Sequence, residues 1–320
     1  AEGDRSAAED AIGAAAKLAP FNSDVQWRRA NLMLREGRTE DSLQSFQIAT
    51  RSNPSLLPAA MALVWRYTNG RSDLLARIVP DGPVYKVRLA RFLMRQSRPE
   101  PALEVFNSVD GETVRACPES WDFLRELIDS GDIGNSRLIW LRLTGVEPGG
   151  ESNNLIFNGG FELDPVRDAD QFDWKVVPSD AAQVFIDPGT FHSGSRSLRV
   201  EFEGHDTTRL DGNVKQLTAA RPGTHYHLQF YVRTEKLVTT AGPQMAVSTS
   251  SFPGWSVRTA AIAAGTNDWS LQSLDFVTPG TKGGQAIPLT VGFFRTPKLN
   301  YETAMSGVVW MDDFNLSEVR

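Results

Sequence analysis

His225 and His227 stand two apart in a run that reads as a strand, where alternate residues share a face, so the pair could suit a metal ion. The spacing suggests no third ligand beside them, and the pair reads as an exposed face of that strand. Asp187, Asp206, Asp211 and Glu235 add carboxylates in the same half of the chain. Cleaving a glycosidic bond needs two carboxylates held at a defined separation, and no spacing here selects a pair. The GxSxG, HExxH, GxGxxG, phosphate-loop and CxxC patterns that mark common hydrolases, zinc proteases and nucleotide binders do not occur. Cys117 is the only cysteine, which excludes an internal disulfide and any cysteine-built metal site. The expectation is a protein that is not an enzyme.

Two kinds of element must position whatever residues act. The chain has 320 residues, 41% of them hydrophobic, enough for two domains with separate cores. Its net charge of -6 is small for this length and suggests neither a polyanion-binding surface nor a disordered acidic protein, and it argues against nucleic acid as a partner. No apolar run is long enough for a membrane helix, and no signal-peptide pattern opens the chain. Residues 1–147 are rich in Ala, Leu, Arg and Glu, with apolar positions three and four apart, the period of one helix face. Ala90, Leu93, Ser97, Ala102, Phe106 and Val109 recur about 34 residues later as Leu124, Leu127, Gly131, Ser136, Trp140 and Leu143. The same offsets upstream hold Ala30, Met33, Gly37, Ser42, Phe46 and Ala49. These residues resemble the tetratricopeptide family, whose paired helices bury their faces by stacking on neighbours. A shortened unit carrying Val64, Tyr67 and Ala76 breaks at Pro80 and Pro83, and Ala8, Ile12, Ala15 and Pro20 match a second helix without its first. On that reading the chain starts inside a repeat. Such arrays imply a groove for a protein partner, with a plain spacer as the alternative.

After Leu143 the period stops, and the Pro/Gly cluster of Thr144 to Ser152 reads as a linker. From 153 to 320, short alternating runs lie between Gly, Pro, Asn and Asp clusters: Gln183 to Ile186, Ser197 to Phe202, Tyr226 to Thr234, Gln244 to Thr249, Leu271 to Phe276, Leu289 to Phe294, and Gly307 to Leu316. Regular short strands of this kind form an antiparallel sandwich. Four blocks stand in order within it: NLIFNGGFE from Asn154, FDW from Phe172, FHSGSRSLRVEF from Phe191, and VVWMDDFNL from Val308. Together they resemble carbohydrate-binding modules of families 4, 9 and 22. The fold class expected is therefore a helical tetratricopeptide-like solenoid followed by an antiparallel β-sandwich of jelly-roll, galactose-binding-like form.

That resemblance implies a structural calcium ion where the first and last elements of the second domain meet. Glu162 and Asp312 are the carboxylates it points to, with backbone carbonyls near Gly160 and in the His192 to Ser195 turn, Ser193 among them. Crowded acids and carbonyl oxygens suit this hard cation. Asp313 is the neighbouring acid, but in an extended strand it faces away from Asp312, so only one of the two serves as a principal ligand. The alternative is that Glu162 caps a loop through Arg196 or Arg199. The resemblance also implies a polysaccharide or oligosaccharide ligand, held by stacking on aromatic rings. Trp269, Phe276 and Trp310 read as core. Phe172 and Trp174 read as anchors of the early loop, with Trp174 kept as a ligand candidate. Trp255, in the turn sequence FPGW, is expected to stand exposed as the stacking platform, with Tyr231, Phe294 and Arg295 beside it on a concave face.

The function expected is a non-catalytic binding protein of the bacterial cell envelope, extracytoplasmic and anchored by a segment upstream of Ala1. Its helical repeats would meet a protein partner and its sandwich a polysaccharide, in exopolysaccharide assembly or export. The alternatives are a scaffold whose sandwich no longer binds sugar and a polysaccharide-active hydrolase.

Overall fold

A computed structural model describes residues 2–146, 154–164, 171–177, 182–206, 210–281, 283–295 and 304–319. Most of the expected linker, from residue 147 onward, lies outside the described residues, as do the side chains of Asp206 and Asp211. The chain divides into two compact units, one of Ala1–Ser130 with Arg142–Gly145, the other of Gly131–Leu141 with Val146–Arg320. No helix among the described residues is long and apolar enough to cross a membrane.

The first unit is helical. Its elements are α1 (Glu2–Leu18), α2 (Ser23–Arg35), α3 (Thr39–Ser52), α4 (Leu57–Tyr67), α5 (Ser72–Ala76), α6 (Pro83–Arg95), α7 (Pro99–Asn107), α8 (Gly111–Ala116) and α9 (Glu119–Asp129). A last helix, α10 (Ile133–Thr144), follows, most of it in the second unit. Packing follows from small residues at the crossing points. Ala30, Ala90 and Ala102 are fully buried, and the Ser42 hydroxyl donates to the Ala30 carbonyl at 2.9 Å, joining α3 to α2. Phe46 meets Trp27 edge-on at 5.2 Å, and Phe106 stacks on Phe123 at 4.2 Å. The turn ending α2 holds Gly37 at φ 74°, and the turn ending α6 holds Ser97 at φ 57°. Each left-handed residue lets the next amide reach back to the helix: Arg38 N–H to Met33 O at 2.9 Å, and Arg98 N–H to Leu93 O at 3.0 Å. Gly131 occupies the same register position with φ 88°.

Between these pairs, the shortened unit is built differently from its expected pattern. Val64 is buried, but Tyr67 is exposed and so is Ala76; Leu75 and Ile78 fill the core instead. With α5 only 5 residues long, the apolar positions slide toward the end of the helix.

The second unit contains two five-stranded antiparallel sheets. Its strands are β1 (Lys175–Val176), β2 (Gln183–Asp187), β3 (Ser197–Asp206), β4 (Leu210–Ala220), β5 (His225–Val238), β6 (Gln244–Ser248), β7 (Ser256–Arg258), β8 (Gly265–Val277), β9 (Ile287–Arg295) and β10 (Ala304–Glu318). Sheet one runs β1-β4-β9-β6-β7 and sheet two β2-β3-β10-β5-β8. Alternate residues of both sheets, such as Val291 and Phe293 on β9 and Leu228 and Phe230 on β5, form one core between them. All seven expected strands form.

β4 escapes a reading of alternation because two of its inward residues are polar. They hold the segment that opens the domain. The Gln216 side chain accepts from Phe157 N–H at 2.8 Å and donates to Phe157 O at 2.9 Å, and the Thr218 hydroxyl donates to Leu155 O at 2.8 Å. On its other side this segment pairs with β10. Leu155 N–H donates to Leu316 O, the Asn154 amide donates to Phe314 O and accepts from Leu316 N–H, and Phe314 N–H donates to Gly159 O, all at 2.8–2.9 Å. The last strand therefore lies beside the opening element, as the four sequence blocks require.

Gly159 approaches β10 so closely that an added methyl would sit 2.1 Å from Phe314 O, whereas at Gly160 the nearest atom would be 3.6 Å away. Gly159→Ala is therefore expected to cost about 3 kcal/mol of stability and Gly160→Ala far less. Denaturant melts of the two variants check this, and equal stabilities would contradict it.

Candidate functional site

Two features of the second unit have the makings of a site, an acidic corner at the end of β10 and a groove on the outer face of sheet one.

The corner exists because β10 bulges. Its register with β5 shifts between Asp312 and Asn315, and Asp313 adopts a left-handed φ of 53°. The alternation that would send Asp312 and Asp313 to opposite faces is broken, and both carboxylates turn to the 192–195 loop. This corrects the expectation that Asp313 faces away from Asp312. Asp312 Oδ2 accepts from His192 N–H at 2.8 Å and Ser193 N–H at 3.2 Å, while Asp313 meets the Ser193 hydroxyl at 2.7 Å and His192 Nδ1 at 2.6 Å. Glu162 accepts from the Ser195 amide at 2.8 Å, the Ser195 hydroxyl at 2.6 Å and the Arg196 amide at 3.1 Å. It thus caps the loop through the amide and hydroxyl of Ser195 and the amide of Arg196, as the alternative reading of Glu162 has it, with no arginine head group on it. Gly194, at φ 66°, permits this, since a methyl there would lie 2.2 Å from Glu162 Oε1.

The electrostatics of the corner are unequal. The Ser195 hydroxyl holds Glu162 below the usual carboxylate range. Asp312 is fully buried, and burial pushes its carboxyl up to about 6, with neighbouring Asp313 adding to the rise against three amide hydrogen bonds. No Lys or Arg among the described residues pairs with Asp312. Gly160 faces the same corner, its open side 3.6 Å from Asp313 Oδ1 and 3.8 Å from Asp312 Oδ1. Among the described residues no three His, Cys, Asp or Glu side chains converge as a ready ligand set. A buried carboxylate with no Lys or Arg partner among the described residues and a second acid beside it are the kind of oxygen donors a hard, oxygen-seeking ion takes.

The groove, of about 440 Å³, is lined by Lys215, Ala246, Ser248, Thr249, Ser256, Arg258, Thr290, Gly292 and Phe294, among others. One cross-strand row forms its centre: Lys175 pairs with Lys215, Lys215 with Gly292, Gly292 with Ala246, and Ala246 with Arg258. Paired residues on antiparallel strands point to the same side, so Gly292 and Ala246 make a low floor between taller neighbours. The next row carries Thr290, Ser248 and Ser256, three hydroxyls side by side. Phe294 stands on the other flank with the Arg258 guanidinium 4.5 Å over its ring.

Of the ligand candidates, Phe294 alone lines this groove. Trp255 does not stand exposed: it is half-buried and packs against the sandwich core, its ring 6.0 Å from Phe276. Arg295 alternates with Phe294 and so points inward; it is 1% exposed and donates to Ala241 O at 3.0 Å. Trp174 is buried between Phe161 and Phe314, its indole N–H on Asn158 O, which makes it a loop anchor only. Tyr231 lies on the outer face of the other sheet, with His192 stacked 3.6 Å above its ring. Trp269, assigned to the core, instead stands half-exposed edge-on to His192, while Trp310 is buried on that outer face beneath Arg199 and Arg233. Phe276 is in the core. His225 and His227 share the outer face of β5, where Asp275 of β8 lies 2.9 Å from His227 and 3.6 Å from His225, as an exposed polar contact between strands. Sequence reasoning sought rings and missed the groove, whose floor is defined by what Gly292 and Ala246 lack.

No family model matches the chain, and no curated protein matches it. Among solved structures, similar folds include a family 16 carbohydrate-binding module, 18% identical over 52% of this chain and 100% of that one, with a TM-score of 0.34. Another is the CBM22-2 xylan-binding domain of Paenibacillus barcinonensis Xyn10C, 14% identical over 46% and 91%, with a TM-score of 0.33. A third is TmCBM61 in complex with β-1,4-galactotriose, 16% identical over 52% and 99%, with a TM-score of 0.30.

The buried acid gives the corner a pH signature. A carboxyl raised to about 6 in the folded chain, against about 3.9 when unfolded, contributes stability below pH 4 that is lost as pH rises through 6. In chelator, the stability of the wild type relative to Asp312→Asn is expected to fall between pH 4.5 and 7. A gap independent of pH, measured by urea denaturation, would contradict this account of Asp312.

Proposed function

We propose that the second unit binds a polysaccharide chain in the groove over β4, β9, β6 and β7, and does so without cleaving it. The observation that carries this is the floor of Gly292 and Ala246, open between Phe294 on one flank and the hydroxyls of Thr290, Ser248 and Ser256 on the other. A sugar presents both an apolar C–H face and a rim of hydroxyls, and this trough offers a partner for each. Arg258 over Phe294 holds the ring in place before any ligand arrives.

A structural calcium ion belongs to the same reading. Glu162 and Asp312 would hold it, with Asp313 beside them and backbone carbonyls of Gly160 and Ser193. The ion would supply the positive charge that buried Asp312 lacks, locking the 192–195 loop to the bulge of β10.

For the helices, the left-handed residues Gly37, Ser97 and Gly131 at matched offsets support a tetratricopeptide-like array that meets a protein partner. A polar hollow lined by Glu40, Gln44, Gln47 and Arg77 on α3 and just after α5 offers side chains for a peptide. The union of a partner-binding array with a sugar-binding sandwich motivates a place in a bacterial cell envelope, in exopolysaccharide assembly or export.

Phe294→Ala is expected to weaken glycan binding at least about tenfold, near 1.4 kcal/mol, with melting unchanged, whereas Trp255→Ala should lower the melting temperature. Calorimetry against a polysaccharide panel tests this. Full affinity in Phe294→Ala, or silence of the folded protein toward every glycan, would defeat the groove reading and favour a scaffold. For calcium, ion at a hundredfold excess over its Kd should stabilise the protein by about 2.7 kcal/mol, with chelator reversing the gain. No shift would count against Glu162 and Asp312 as ligands.

A further inference from the structure

We infer that the polysaccharide taken by this groove is an acidic one, bearing carboxylates or sulfate esters along its chain, an inference that rests on the groove reading above. The row across sheet one reads cation, cation, glycine, alanine, cation: Lys175, Lys215, Gly292, Ala246, Arg258. With strands about 4.8 Å apart, Lys215 and Arg258 stand roughly 14 Å apart at their backbones, one at each end of the small-residue floor.

Neither Lys215 nor Arg258 forms an ion pair among the described residues, and no carboxylate is found there among the described lining residues. Arg38, Arg71, Arg77, Arg88, Arg91, Arg196 and Arg199 all meet acids within 4.0 Å. In a protein of net charge -6, a groove with two open cations is a local reversal of the surface field.

Chemistry decides what such a groove selects. A neutral sugar laid over Lys215 and Arg258 would strip water from two charges and return only neutral hydrogen bonds, an unfavourable exchange. An anion on the sugar replaces that water with charge-assisted bonds, and the planar guanidinium of Arg258 can grip a carboxylate or sulfate through two parallel N–H groups. Held 4.5 Å over Phe294, it already faces the groove from a fixed position. The ring and the hydroxyl row then read the sugar while the cations at the two ends read its charges.

The test is calorimetry of the full chain with polygalacturonate, dextran sulfate and neutral dextran, at low and at raised salt. Binding of one or both acidic polymers is expected, with the better of the two naming the anion, and none of dextran. Lys215→Gln and Arg258→Gln should each weaken binding about tenfold, Arg258→Lys should recover part of the loss, and added salt should weaken the wild type more than either variant. Melting curves establish that the variants fold. Equal binding of neutral dextran, abolished by Phe294→Ala, would overturn the charge inference while leaving the groove reading intact. Acidic binding unchanged in both glutamine variants would also overturn it. Binding of no polymer at all would overturn both.

Discussion

The second unit depends on one contact, the docking of its opening segment onto its final strand. Asn154 and Gly159 satisfy backbone groups of β10 around Phe314, and Gln216 and Thr218 on β4 grip the same segment from the other sheet. The segment thus closes the end of the sandwich by bridging both sheets, which leaves few buried backbone groups without partners there. Phe161, Trp174 and Phe314 interlock just inside, with centroids 4.9–5.9 Å apart. Where Phe314 N–H donates to Gly159 O, the register of β10 with β5 shifts, and at this bulge Asp312 and Asp313 both turn to the 192–195 loop. The acidic corner lies at the closure.

The two outer faces of the sandwich differ in what covers them. The outer face of sheet two is filled with side chains stacked on one another: Arg199 lies between Phe185 and Trp310, Arg233 lies over Trp310, and His192 lies on Tyr231. Those rings are occupied by protein. The outer face of sheet one carries small and hydroxyl residues at its centre and charges at its ends, so its surface is concave where the other is covered. Two sheets of equal strand number therefore present different chemistry, and the difference is set by residue size at matched cross-strand positions.

Much of this is legible in the sequence and some is not, for physical reasons. Seven strands announce themselves by alternation, and the NGGFE block and the DD strand announce their meeting. β4 stays hidden because Gln216 and Thr218 are inward but polar, a pattern that reads as loop until their backbone partners are known. Trp255 misleads because a Pro-Gly turn says that the chain bends without saying which way its ring faces. Arg295 misleads because one residue of register separates the groove from the core. Asp313 escapes alternation because a bulge is a property of the pairing, not of the residue. The groove itself is invisible, since its central row draws one residue from each of five strands, and only registry places them in line. In the helices, the left-handed positions at Gly37, Ser97 and Gly131 fall at matched offsets in the sequence, whereas the slide of apolar positions in the shortened α4–α5 unit is not legible there.

The most direct measurement is amide chemical-shift mapping of the full chain during titration with a defined acidic oligosaccharide. The account predicts saturable shifts at Lys215, Ala246, Ser248, Arg258 and Gly292, the groove floor and its ends. Shifts confined to Tyr231, His192 and Trp269, on the opposite sheet, would contradict it.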